Sequence, residues 1–494
     1  LLFCGRFDKY VPNRNRLKED ADFSRFMAER GLLWDCHWAI PPLTSHRLVR
    51  SVRKYGGADV TLDAEQQRDL DWARTCLTHE FRPHMGGCGI RDVDFVIDGP
   101  YAVDFSRSPG FPWNVKYRSS ADAWEEHEDW LRQYTSSVLS GSRQPNVAIF
   151  NLFPKEELLP KEKVAAGKLR SISGCPLEFK LLANSLFLDQ NNGFYRSHGL
   201  TASEVGINPY NGGWDRLYHK LAIVGPDGVA WRGQALDVSA FDCSYSKVVS
   251  KAVYQVRFEL LPASQQTQEN WELFEYARRS IFEGYLVSNN GEVLLRDHGN
   301  SSGSPNTVVD NTLGLRLGFL YAYKRACRRA GIEPSHTDLL DNHRCAMYGD
   351  DNTYTCSPEY ESLLSEESLR HGFAELGWNI TSETNGWVDP LQLVFLQRCF
   401  HRSPSGLVVP RPLDGIKALD SMRLKGHGDH TFTYSRACSL LLEHWYHLKN
   451  RVILSDFLDG MERRYFSDGS RESALILRRR LTPSAIETLY AYSE

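Results

Sequence analysis

The chain has 494 residues, 41% hydrophobic and 24% charged, with a formal net charge of −4. That is the composition of an ordinary globular protein, long enough for about three domain-sized units around buried cores. It excludes a chain that is basic throughout, so any contact with nucleic acid rests on local clusters.

Eleven cysteines are scattered from Cys4 to Cys438 with no CxxC pair and no His/Cys cluster at zinc spacing. Free thiols in a reducing compartment are expected, and a structural zinc is not. No apolar run approaches the roughly 18 residues that cross a bilayer, and no signal-like leader opens the chain, so a soluble cytosolic protein is expected. Leu1 in place of methionine suggests a processed piece of a longer chain or a trimmed one.

In chain order, residues 1–54 are rich in Arg and Lys, with "VPNRNRLK" (11–18) the most basic stretch. It fits a solvated surface as well as RNA contact. In "FSRSPGFPW" (105–113), Ser108, Gly110 and Pro112 have the chemistry of a rigid turn. The spacing predicts amphipathic helices over 121–135 and 358–376. A basic stretch at 155–170 contains Lys155, Lys163, Lys168 and Arg170; such a run is ordinarily a solvated face.

"QALDVSAFD" (234–242) starts as an apolar strand and then loses alternation. Strand period sends Asp237 and Asp242 to opposite faces, so the strand must end between them if both serve one site. Over 299–331, Ser304 suits an N-cap, Pro305 the first helical position and Gly331 the stop, which predicts a long helix behind a glycine-rich loop. Thr307 and Asn311, four apart, share a face of its first turns. "RCAMYGDDNTYTC" (344–356) predicts two short strands with Gly349 in the turn, placing Asp350 and Asp351 at a hairpin tip. Beyond residue 403 helical spacing returns, and a helical C-terminal domain is expected.

Two adjacent carboxylates on a tight turn repel, and burial raises a pKa unless a cation lies between them. A divalent metal removes that difficulty, and two such ions can stabilise the attacking and leaving oxygens of a phosphoryl transfer. Alone, a GDD is most often an ordinary exposed turn.

The order of these stretches resembles the RNA-dependent RNA polymerases of positive-strand RNA viruses, in the picornavirus-like group of picorna-, calici- and astrovirus enzymes. "LDVSAFD" resembles the family's first palm motif, "SGSPNTVVDN" its SGxxxTxxxN and "YGDD" its signature hairpin. "FPKEELLPKEKVAAGKLRSI" is similar to its fingertip motif, "FSRSPGFPW" to the SxGxP motif that admits template, and "FLQRCF" (395–400) to the primer grip. "GNSSG" with the later "DN" leans toward the astrovirus branch.

The resemblance implies roles. Asp237, Asp350 and Asp351 would hold two Mg2+ ions, with Mn2+ equally acceptable to oxygen ligands. Asp242 and Asn311, assisted by Ser302 and Thr307, would read the ribose hydroxyls. Lys155, Lys163, Lys168 and Arg170 would neutralise the triphosphate. Ser108, Gly110, Pro112 and Gly303 would guide template, and Arg398 the primer backbone. Two positions depart from the pattern: Asn385 stands where many relatives have a lysine proposed as general acid, and Gln397 replaces a lysine of the primer grip.

The implied architecture is an α+β right hand of fingers (1–183, with an insertion at 250–295), palm (184–249 and 296–402) and a small helical thumb (403–494). A small thumb implies primed initiation, from a protein primer among the expected partners, alongside RNA template, nascent RNA, ribonucleoside triphosphates and other viral replication proteins. The expected setting is host cytoplasm, in membrane-associated replication complexes. A reverse transcriptase would use deoxynucleotides, another two-metal nucleotidyl enzyme would need no template motifs, and a noncatalytic RNA binder would not depend on Asp350.

Overall fold

The computed structural model describes residues 1–7, 17–32, 37–55, 59–99, 103–425 and 428–492; most of the basic 11–18 stretch lies outside the described residues. The chain opens with β1 (Leu2–Arg6), α1 (Ala21–Glu29), α2 (Ala64–Phe81) and α3 (Ser120–Leu139), then β2 (Ile149–Pro154) and β3 (Ser171–Gly174). After α4 (Leu177–Arg196) come β4 (Arg232–Gln234), β5 (Leu236–Val238), the one-turn α5 (Phe241–Ser244), α6 (Lys247–Glu259) and α7 (Gln268–Phe282). Then follow β6 (Tyr285–Val287), β7 (Glu292–Leu295), α8 (Thr307–Ala330), β8 (His343–Tyr348), β9 (Asp351–Cys356), α9 (Glu366–Glu375) and β10 (Ile380–Ser382). A meander of β11 (Val394–Phe395), β12 (Arg398–Arg402) and β13 (Val408–Pro412) precedes the last helices. These are α10 (Gly415–Met422), α11 (His430–Glu443), α12 (Leu448–Tyr465), α13 (Arg471–Leu477) and α14 (Pro483–Tyr490).

The expected α+β class holds. One sheet runs β1-β7-β6-β2-β3, parallel only where β2 meets β6. A second, antiparallel, runs β8-β9-β4, and β5 pairs with β10. Behind the second sheet lies α8, buried along nearly its whole length. Two of its glycines admit close neighbours from outside that sheet: a Cβ on Gly314 would strike the Tyr245 hydroxyl, and one on Gly318 the Trp378 ring. Any larger residue there would force the helix off its neighbours.

A buried ion pair anchors α8. Arg257 on α6 donates from Nε to Asp310 Oδ1 at 2.7 Å, with both side chains fully buried, and from Nη1 to Gln190 and Asn191 on α4 at 3.0 Å each. Tyr254 Oη adds a bond to Asp310 Oδ2. Charge inside a protein is tolerable only when it is paired and hydrogen-bonded in this way.

A second core forms at the C-terminal end, where Phe23, Phe26 and Met27 of α1 pack with Leu419, Tyr434, Leu454 and Phe457. The Phe23 and Phe457 rings meet edge-on at 5.1 Å. The N-terminal helix thus completes the core of the C-terminal helices.

Three expectations need correcting. The long helix starts at Thr307 after an Asn306 N-cap, not at Pro305, because Ser304 Oγ accepts from the Asn306 N–H and closes a separate turn first. Its end is as expected, with Gly331 at φ +68°. The 358–376 stretch is a short 3-10 turn (Pro358–Tyr360) and then α9, because Ser365 caps the helix by accepting from Ser368 N–H. Helices do not begin at 403: β13 first completes the meander with β12.

Candidate active site

β5 is short for a reason visible at Ala240, which sits at φ +53° and turns the chain into α5. Asp237 is flanked by buried Leu236 and Val238 and is itself exposed, while Asp242 is carried past the strand end onto α5. The strand therefore ends between the two aspartates, as the lost alternation predicted. β8 and β9 form the hairpin, with Tyr348 paired to Asp351 and Gly349 at φ +67° in the turn.

Two contacts that sequence reasoning missed set the tip in place. Asn352 donates from Nδ2 to the Leu236 carbonyl at 2.7 Å and accepts from the Leu236 N–H at 3.3 Å. This amide clips β9 to β5 and brings Asp237 beside the tip. Thr312 on α8 accepts from the Gly349 N–H at 2.8 Å, pinning the turn to the helix. The only hint in the sequence was that both polar residues lie beside the motifs.

The acids act on one another. Asp351 is pushed up to about 7 by burial and by the charges of Glu383 and Asp350, partly opposed by the Leu396 N–H that donates to Oδ2 at 3.0 Å. Glu383, a fourth acid not singled out from the sequence, is raised by burial and by Asp237 and Asp350. It is carried there by the β10–β5 ladder, where Thr381 faces Asp237 and the Glu383 N–H donates to Ala235. Oxygen donors of this kind suit a hard divalent cation. Among the described residues, no three His, Cys, Asp or Glu side chains converge tightly enough to hold an ion.

Asp242 is also raised, first by burial; Asn311 opposes this by donating from Nδ2 to Oδ1 at 2.7 Å, Asp350 adds to it, and Arg170 and Lys155 oppose it. Lys155 and Arg170 are joined through their backbones and share Glu157, at 3.1 and 3.4 Å. Lys163 and Lys168 stand exposed on the neighbouring turn of chain. Thr307 is beside Asn311, but its hydroxyl donates to the Ser301 and Ser304 carbonyls, so toward a ligand it can only accept.

The loop before α8 leans on β3: Ser302 Oγ donates to the Ser171 carbonyl at 3.4 Å and Gly303 bridges Gly174. A Cβ on Gly303 would meet the Ser173 carbonyl at 2.4 Å. Gly110, at φ +69°, is pressed against the Cys175 carbonyl; it donates to Ser108 Oγ, and a cis peptide joins Phe111 to Pro112. These residues do form the rigid turn that their chemistry suggested. Arg398 is half-buried and engaged by Glu443 on α11 at 2.7 Å and by the Leu396 carbonyl. Asn385 is exposed, as is Gln397 at φ +58°.

The family profile described as viral RNA-dependent RNA polymerase matches residues 76–418. The genome polyprotein of Plum pox potyvirus (strain El amar) is 32% identical over 358 residues, which are 69% of this chain and 21% of the polyprotein. That of Lettuce mosaic virus (strain E) is 28% identical over 369 residues, 72% of this chain and 10% of the polyprotein. The chain thus spans about a fifth or less of these relatives. The solved structure of the Sicinivirus 3Dpol RNA-dependent RNA polymerase shares the fold, with TM-score 0.70 and 17% identity over 98% of this chain and 95% of that one. The relatives named are potyviral, which lends nothing to the astrovirus lean.

Proposed function

The chain belongs to the viral RNA-dependent RNA polymerase family, and from that premise we propose that its acidic tip extends RNA on an RNA template by two-metal phosphoryl transfer. The observation that carries the reading is the Asn352 clip, which seats Asp237 next to Asp350 and Asp351 although more than a hundred residues separate them in sequence.

Viral polymerases of this kind use divalent ions, and Asp237, Asp350 and Asp351 would hold two Mg2+ or Mn2+ ions here. Such ions offset the charge that develops on the attacking and leaving oxygens. Asp351 and Glu383, raised by burial first and then by neighbouring acids, support this, since a cation would offset the repulsive share of that shift. Asp242 and Asn311 would accept and donate to the ribose hydroxyls, with Ser302 and Thr307 behind them. Lys155 and Arg170, whose charge reaches Asp242, would meet the triphosphate, with Lys163 and Lys168 more distant in the same basic stretch. Ser108, Gly110, Pro112 and Gly303 would shape the template path, and Arg398 would reach primer by exchanging Glu443 for phosphate. Asn385 cannot release a proton, so the donor to pyrophosphate would be water or another group.

In this reading the fingers are 1–183 and 250–295, the palm 184–249 and 296–402, and the thumb 403–494, with α1 bridging fingers to thumb. Partners would be RNA template, nascent RNA, nucleoside triphosphates, a protein primer and other viral replication proteins. No helix among the described residues is long and apolar enough to cross a membrane; the proposed setting is cytoplasmic replication membranes.

The test is primer extension on a defined RNA by the wild type and by Asp350→Asn/Asp351→Asn. Because phosphoryl transfer rests on positioning and charge stabilisation, the double variant should lose several orders of magnitude while keeping its fold. Equal product from both proteins would refute the assignment.

A further inference from the structure

We propose that Asn300, in the loop before α8, is a positioning residue for sugar selection: it holds the Asn311 amide in the one orientation that serves Asp242 and an incoming ribose. The inference rests on the reading of Asp242 and Asn311 as the ribose-sensing pair, and deepens it.

An asparagine amide can present either its oxygen or its NH2 to a neighbour, and its surroundings decide which. Asn311 must present NH2 to Asp242, since a carboxylate only accepts. What holds it there is a chain of donors. Asn300 Nδ2 donates to Asn311 Oδ1 at 2.8 Å, and Asn311 Nδ2 donates to Asp242 Oδ1 at 2.7 Å. Asn300 is oriented in turn by the Thr307 carbonyl, which receives its Nδ2 at 3.5 Å and, being a carbonyl, can only accept. A flip of Asn311 would set oxygen against oxygen at Asp242, and a flip of Asn300 would do the same at Asn311.

The backbone of Asn300 is tied to the same carboxylate's residue. Its N–H donates to the Asp242 carbonyl at 2.7 Å, the preceding Gly299 N–H donates to Tyr245, and the Tyr55 hydroxyl donates to the Asn300 carbonyl. Gly299 is at φ +91°, and a Cβ there would run into Tyr55 and the Asp242 carbonyl. The loop is thus drawn onto α5 as closely as glycine permits. Asn300 is fully buried, and its Oδ1 has no hydrogen-bond partner among the described residues. A buried unpaired acceptor is costly, and a serine or apolar residue would avoid the cost. The Asn300 amide is engaged through its donor alone.

Asp242 Oδ1 is committed to Asn311, which leaves Oδ2 to accept from a ribose hydroxyl. Without Asn300 the Asn311 oxygen loses its partner and the amide is held by Asp242 alone, and the discrimination between ribose and deoxyribose loses about one net hydrogen bond, or roughly tenfold.

The experiment measures kcat/KM for ATP and 2′-deoxy-ATP on one primed RNA template, with wild type, Asn300→Leu, Asn300→Ser and Asn311→Ala. The ratio of the two substrates is the readout, because a general loss of fold lowers both alike and leaves their ratio unmoved. Expected is a ratio lowered about tenfold in Asn300→Leu, with no further drop when it is combined with Asn311→Ala. Asn300→Ser, which fits the same space without reaching Asn311, gives the same reading should the leucine variant not fold. A ratio unchanged at position 300 but lowered by Asn311→Ala overturns the role of Asn300 and leaves the ribose pair standing. A ratio unchanged in all variants removes the ribose pair itself, and the inference with it.

Discussion

Two sets of carboxylates, one on α8 and one on the strands and turn near it, are treated in opposite ways. Asp310, on the back of α8, is fully buried and answered by Arg257, Tyr254 and the α4 amides that flank Arg257. Asp350, Asp351, Asp237 and Glu383, at the hairpin tip and beside it, act on one another, and burial together with that mutual charge holds Asp351 and Glu383 above their ordinary range. The first arrangement is what a fold does with charge that it needs for its own shape. The second fits the proposal that these acids hold metal ions. The two meet at neighbouring positions of one helix turn, since Asp310 belongs to the scaffold and Asn311 to the site.

Perturbing each side should separate them, and the largest effect is expected at the front. Asp350→Asn/Asp351→Asn should abolish extension yet raise the thermal midpoint of the metal-free protein, because it removes repulsion; a lowered midpoint would make these acids structural. Next, Asp310→Asn at the back leaves Arg257 buried and uncompensated, a loss of about 3–5 kcal/mol in denaturant titration. Adding Arg257→Met should recover much of that loss, since no lone charge is then buried, and a double variant no better than Asp310→Asn would contradict the account. Asn352→Leu, which unclips β9 from β5, should cost about 1–3 kcal/mol from the two unpaired Leu236 groups and lower the extension rate by misplacing Asp237. Stability with unchanged rate would show that the clip does not position the acid.

The smallest effect concerns pH. Asp351 titrates at about 7 in the fold against 3.8 for an ordinary aspartate, so across that window the folded protein binds more protons than the unfolded chain. The metal-free protein should therefore lose stability as pH rises from 4 toward 7, as this contribution falls away. Glu383→Gln removes the larger of the two neighbouring charges and should shift the titration of Asp351 downward, read from its carboxyl resonance. An unmoved titration would mean that burial and Asp350, not Glu383, hold it up.

Much of the site was legible because it is local. A strand that loses alternation after Asp237, a glycine between Tyr348 and Asp350, and Thr307 and Asn311 one helical turn apart each follow from backbone geometry within a few residues. The start of α8 was misjudged because Ser304 and Pro305 make equally good cap chemistry for a turn. Reading 358–376 as one helix missed that Ser365 is a second cap inside an apolar period.

By itself the sequence determined which residues could carry charge, where strands must break and which turns need glycine, since those depend on neighbours along the chain. Only the tertiary structure decided that Asn352 ties Asp237 to the tip, that Glu383 joins the acids, that Asn300 sets the Asn311 amide and that α1 completes a core about four hundred residues away. A polar side chain looks the same in any sequence; its meaning comes from the partner that burial forces upon it, and that partner is chosen by packing.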